Sequence, residues 1–198
     1  MNIGDTIKSV TRGMPAMITG GKPGYRAGDD KLAWARTDLT SDPSLTLRSP
    51  SFEEGGVILA KHSVDGEDVS PPLQWAGAVE AALSFALVVE DPDAPTPNPF
   101  VHWLLYNIPS EIRELPQGLR DPLPGLLKEA AQGKNSNLKT GWTGMAPPKG
   151  DTPHRYFFQL FALDRRLPLE PGAGRAALFE AMAGHVVARG RIVGTYQR

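Results

Sequence analysis

Three stretches of the chain are apolar at nearly every position, with neither the alternation of a half-buried strand nor the three-to-four spacing of a surface helix. They are Leu83–Glu90 (LSFALVVE), Val101–Ile108 (VHWLLYNI) and Arg155–Leu163 (RYFFQLFAL). All three are rich in β-branched and aromatic residues, which suit a pleated, packed surface. Such runs predict strands buried on both faces, and so the middle of a sheet. The first run stops at Asp91-Pro92, because proline has no N–H to donate to a ladder. Leu45–Leu47 and Val57–Leu59 are shorter strand candidates, separated by Ser-Pro and Gly-Gly breakers. Helical spacing shows in Arg175–Val187, with Leu178, Met182 and Val186 on one face and Gly190 as the expected stop.

Residues 1–43 read differently. They hold GG, PG and GDD, a weak apolar periodicity at Ile3, Ile7 and Val10, and a second short helix candidate from Leu32 to Leu39. No chemistry is legible there. The segment reads as an N-terminal extension or arm before the domain proper, residues 44–198, and removing residues 1–40 is expected to leave the core folded. Within that domain, residues 113–150 form a long irregular connection punctuated by Gly118, Gly125, Gly133, Gly141 and Gly144. Loops of that length in a compact domain usually bind something. The expected architecture is mainly β with helices.

Composition narrows the possible roles. A chain of 198 residues suits one core. With 21 basic and 22 acidic residues, the net charge of −1 removes any broad attraction to nucleic acid or an anionic membrane. The absence of cysteine excludes disulfides, thiolate catalysis and cysteine-based zinc sites. No run approaches the roughly 18 apolar residues of a membrane span. The N-terminus lacks the apolar core, about 7–15 residues long, of a secretory signal, so cytoplasmic residence is expected.

Three constellations carry candidate chemistry. In Asp91-Pro92-Asp93-Ala94-Pro95, flanking prolines favour a tight turn on which two carboxylates converge. The same pattern also serves a turn whose aspartates accept backbone N–H bonds. His102 lies beside Trp103 in the next strand, and a hairpin would bring it near Asp91. In GWTGMAPPKGDTPHRY (141–156), a Gly- and Pro-rich loop leads into His154, Arg155 and Tyr156. Backbone N–H groups beside Gly144 suit an oxyanion. Two aspartates and two histidines would also suit a metal ion, whereas no G-x-S-x-G marks a serine hydrolase.

The ordered set DPDAP, HW on the next strand, then PPKG before HRY resembles the phosphatidylethanolamine-binding protein family, also called the Raf kinase inhibitor family. SVDGEDVSPPLQW (63–75) is similar to that family's G-x-x-x-S-P-P-L-x-W stretch. GKNSNLKTGW (133–142) and the close with His185 and Gly194-Thr195-Tyr196 resemble its bacterial branch. The resemblance covers about residues 45–198, and departs at Met145-Ala146, where many members carry Gly-Pro or Ser-Gly.

The resemblance implies a central antiparallel sheet, a smaller second sheet and a C-terminal helix. It also implies a small cavity for phosphate-like anions and phospholipid head groups. Its lining would be Asp91, Asp93, His102, Gly144, His154 and Tyr156, with Pro92 and Pro95 shaping the wall. Both histidines would donate hydrogen bonds there, as would the Gly144 backbone. No catalytic residue, cofactor or metal goes with it. The implied function is non-catalytic binding of a phosphate-bearing small molecule or head group, and the alternative is regulation of a kinase or protease through protein contact. Homodimers are expected by the same analogy, as are cis peptide bonds at Ala94–Pro95 and Asn98–Pro99.

Overall fold

A computed structural model describes residues 25–77 and 79–198. The Ile3–Val10 periodicity lies outside the described residues. Eight strands run in chain order: β1 (Thr46–Arg48), β2 (Leu73–Ala76), β3 (Ser84–Asp91), β4 (Phe100–Pro109), β5 (Glu114–Leu115), β6 (Ala131–Gln132), β7 (His154–Leu163) and β8 (Val186–Tyr196). They form a five-stranded sheet, ordered β6-β4-β3-β7-β8, and a three-stranded sheet, ordered β1-β2-β5. Every pairing is antiparallel.

The continuous apolar runs have a simple cause: β3 separates two cores. Phe85, Leu87 and Val89 face one core, shared with Leu47, Leu73 and Trp75 of the small sheet. Ala86 and Val88 face the other, shared with Leu178, Phe179 and Met182 of α1 (Arg175–Met182), the one α-helix among the described residues. All eight β3 residues are buried. A strand covered on both sides has no solvent face to pattern as polar.

Several expectations need correction. Val57–Leu59 is not a strand: Ile58 is buried, but Val57 and Leu59 are exposed, and only an isolated bridge joins Val57 to Thr195. Helix α1 ends at Met182, with Gly184 at φ 75° just beyond it. This left-handed conformation is cheap only for glycine. Val186 and Gly190 belong instead to β8, the long strand that helical spacing concealed. Gly190 is required by close approach, since a Cβ there would run into the Leu45 carbonyl. Leu32–Leu39 forms short 3-10 turns, two of them Ala33–Ala35 and Thr37–Leu39, and no longer helix.

Nor do residues 25–43 hang free. Ala33 and Leu39 are fully buried in the core around α1. Burying one leucine contributes about 2 kcal/mol, so this stretch is bound to the sheet rather than appended to it.

Candidate functional site

Side-chain direction on the large sheet collects the polar residues. Tyr156 and Phe158 face the core under the small sheet, and alternation along β7 puts His154 on the same side. The same rule places Asp91 with Val89. On β4 the register shifts between Val89↔Trp103 and Glu90↔Val101, leaving His102 unpaired in a bulge. Strict alternation would send His102 and Trp103 to opposite faces. The bulge instead lets both reach Trp142, each with a ring-centroid separation of 6.1 Å.

Asp91 closes the turn its sequence suggested and also bonds His154, whereas the Asp93 carboxylate turns to Arg155. Its Oδ1 accepts the backbone N–H groups of Asp93 (2.8 Å) and Ala94 (3.0 Å), closing the turn. Its Oδ2 accepts from His154 Nδ1 at 2.8 Å. The turn closes through these bonds with Ala94–Pro95 and Asn98–Pro99 both trans; the cis bond is at Asp121–Pro122. Pro92 is buried and Pro95 half-buried in the same loop.

The pKa values of the two histidines move in opposite directions. Burial works against the imidazolium of His154, but the hydrogen bond and charge of Asp91, aided by Asp151, outweigh it and raise its pKa. For His102 burial prevails over Asp91 and the Thr143 carbonyl, and its pKa falls. Its Nδ1 lies 2.8 Å from the Thr143 carbonyl oxygen, which can only accept, so Nδ1 carries the proton. Nε2 of the neutral ring is then an acceptor, with no partner among the described residues. His102 therefore accepts where donation was expected. Tyr156 stands edge-on to His102, centroids 5.1 Å apart. Its hydroxyl is fully buried and without a hydrogen-bond partner among the described residues. Burial and the nearby Asp91 and Asp93 hold its pKa far above the usual phenol range.

Two expected residues are engaged elsewhere. Asp93 accepts from Arg155 through the backbone N–H and Nε, both at 2.9 Å, and through Nη2 at 2.8 Å. Burial of its carboxyl opposes ionisation, yet these bonds bring its pKa below the ordinary value. The Gly144 N–H already donates to Asp68 Oδ1 at 2.6 Å. Glycine is needed there for packing, since a Cβ would sit 2.7 Å from the backbone of Ser63 and Val64. The structure thus unites Asp91, His102, His154 and Tyr156, and leaves Asp93 and Gly144 as braces around them.

Two residues at this site escaped sequence reasoning. Asp151 Oδ2 lies 3.4 Å from His154 Nε2, and Arg26 Nη2 lies 2.7 Å from Asp151 Oδ1. Asp151, three positions before His154, was readable as a neighbour; Arg26, 125 residues away from Asp151, was not. A cavity of about 260 Å³ lies beyond Trp142, lined by Asp68, Ser70, Arg120 and Gln132 among others, and it does not include the histidines. Among the described residues, no three His, Asp or Glu side chains gather as a metal site would require. No helix among them is long and apolar enough to cross a membrane.

Among the described residues, a buried polar cluster at one end of a two-sheet antiparallel β fold with one short α-helix defines the class of molecule. Residues 48–197 match the model of the phosphatidylethanolamine-binding protein family, and the chain belongs to that family. It is 41% identical over 155 residues to a UPF0098 protein of Methanothermobacter thermautotrophicus, a match covering 78% of this chain and 99% of the relative. A UPF0098 protein of Aquifex aeolicus is 40% identical over 151 residues, covering 76% of this chain and 86% of that one. Among solved structures, Escherichia coli YbcL, described as a new member of the mammalian family, superposes with a TM-score of 0.74 at 31% identity. That match covers 78% of this chain and 99% of YbcL. A family homolog from Chlamydia trachomatis gives 0.71 at 34% identity, covering 79% and 99%.

Proposed function

We propose that the chain binds, without chemically transforming it, a small phosphate-bearing molecule or phospholipid head group at the Asp91–His102–His154–Tyr156 cluster. The observation that carries this reading is the Tyr156 hydroxyl, fully buried with no protein partner among the described residues. Leaving such a group unpaired costs about 1–3 kcal/mol. It stands beside the edge of His102, whose neutral Nε2 is a free acceptor. A phosphate in its monoprotonated form suits this set. Its P–OH donates to His102 Nε2, and its oxyanions accept from Tyr156 and from cationic His154.

The charge on His154 offsets the repulsion between Asp91 and an incoming anion. Affinity therefore increases as pH falls from about 8 to about 6, where both His154 and the phosphomonoester take up protons. Calorimetry of the full chain with phosphoethanolamine and with inorganic phosphate, repeated across that range, tests the reading. Tighter binding at the lower pH is expected. Affinity independent of pH, or binding unaltered in Tyr156→Phe, overturns it.

A further inference from the structure

The segment Tyr25–Lys31 precedes the 48–197 region matched by the family model, yet it is tied to both rims of the site. Its backbone joins the Asp-Pro-Asp-Ala-Pro loop, with Ala27 N–H donating to the Ala94 carbonyl (3.2 Å) and Gly28 N–H to that of Pro92 (3.0 Å). Its side chains reach across. Asp29 receives Arg155 in a two-pronged pair at 2.9 and 2.8 Å, while Lys31 donates to the Pro97 carbonyl at 2.9 Å. Arg26 holds Asp151 on the opposite rim at 2.7 Å. Beneath this strap, the side chains of His154 and Asp91 are only 1% and 5% exposed.

Asp151 occupies a telling place. One carboxylate oxygen is held by Arg26, and the other faces His154 Nε2, the nitrogen left over once Nδ1 has been given to Asp91. An oxyanion entering the site would seek that same N–H. The 3.4 Å separation is long for a charge-assisted hydrogen bond, and the Asp151 side chain is 25% exposed, so it has water to move into. Arg26, at 29% exposed, is similarly free to turn.

We infer that Asp151 is an internal anion standing in the ligand's position at His154, and that Arg26 is a ligand-binding residue which passes from Asp151 to the incoming phosphate. This inference rests on the proposed function and adds to it the exchange that opens the site. Charge supports it. With Asp151 in place, Arg26 and His154 are each neutralised by a carboxylate. Once Asp151 swings outward, Arg26 and protonated His154 face a single buried carboxylate, Asp91, and the positive charge left over matches the monoprotonated phosphate group. Arginine suits this hand-over because its planar fork pairs with carboxylate and phosphate in the same way. Asp151, held well below the ordinary carboxylate range at about 2 by Arg26, stays ionised and competes across the physiological range.

The test is calorimetry of inorganic phosphate and phosphoethanolamine at fixed pH on the full chain and four variants. They are Asp151→Asn, Arg26→Ala, Arg26→Lys and, as a control for the site, His154→Ala. Thermal melts accompany each to show that it folds. Removing the internal anion is expected to tighten binding about tenfold in Asp151→Asn. Arg26→Ala is expected to weaken it at least about fivefold, with Arg26→Lys falling between. Unchanged affinity in Asp151→Asn and Arg26→Ala, with loss in His154→Ala, overturns the exchange while leaving the binding site standing. Absence of binding in both the native chain and Asp151→Asn overturns the binding reading itself, and the exchange with it.

Discussion

Glu90 and Asp91 are consecutive on β3, both buried, and point to opposite faces of the sheet. On the face under α1, Glu90 Oε2 accepts from the Ala33 N–H (2.8 Å) and Gln159 Nε2 (2.9 Å), while Oε1 accepts from Arg175 Nε (2.7 Å). Gln159 Oε1 is taken by the Trp34 N–H at 2.7 Å. Each of these oxygens has a partner from the chain. On the other face, Asp91 and His154 satisfy each other, but the Tyr156 hydroxyl is buried with no partner among the described residues, and the hydrogen bond of His102 runs through Nδ1, leaving Nε2 to a ligand. Glu90 and Gln159 on one face, and Asp91, His102, His154 and Tyr156 on the other, are all buried. What separates the structural brace from the candidate site here is whether the chain completes the hydrogen bonding of the cluster.

The sharpest way to break this comparison is Glu90→Ala. It strands Arg175, Gln159 and the Ala33 N–H, and is expected to cost about 3–5 kcal/mol of folding stability. Urea denaturation would measure it, and a loss below about 1 kcal/mol would show that the cluster is not a brace. Removing residues 1–40 takes the Ala33 donor and the buried Leu39 together. We expect a loss of about 3 kcal/mol, where the sequence suggested a dispensable arm; an unchanged melting temperature in the truncated chain would restore that earlier view.

A matched pair of substitutions sharpens the contrast with smaller effects of opposite sign. Gln159→Leu leaves Glu90 short of a donor and should destabilise by about 1–2 kcal/mol without altering phosphate affinity. Tyr156→Phe deletes an unpaired hydroxyl and should stabilise by up to about 1 kcal/mol while weakening phosphate binding. If both destabilise equally, the two faces do not differ as described.

The smallest effect is the pH dependence of stability. The folded-state pKa of His154 is raised. Its contribution is thus fully present below the unfolded value of about 6.5 and is lost as pH rises through the folded value. For His102 the folded value is lowered, so its contribution is present above about 6.5 and is lost as pH falls towards the folded value. Denaturation midpoints from pH 5 to 9 should decline at both ends, and His154→Gln should flatten only the alkaline side.

Much of the site was legible because its residues sit at strand ends next to breakers. Asp91 ends a run that proline stops, and His154 and Tyr156 follow a Gly-Pro loop, so they stood out as candidates, and the family resemblance grouped them. His102 was placed near Asp91 by the hairpin, but its direction depends on a bulge with no local signature. The long β8 was hidden because Leu178, Met182 and Val186 satisfy helical spacing across the real boundary at Gly184. Asp93 and Gly144 were found as candidates, yet their partners, Arg155 and Asp68, direct them into the scaffold.

The sequence by itself determined the central strands, the two-sided burial of β3, the turn at Asp91 and the family to which the chain is related. The first three are written in the order of apolar and breaking residues within a dozen positions, where backbone geometry and burial act directly, and the last in short motifs spread along the chain. Only the tertiary structure decided which polar groups are completed by the chain and which are left open. It also set the direction in which the pKa of each buried site histidine moves, and seated Arg26 against Asp151 across 125 residues of separation. Those properties depend on partners and on exclusion of water, and neither exists until distant segments have packed together.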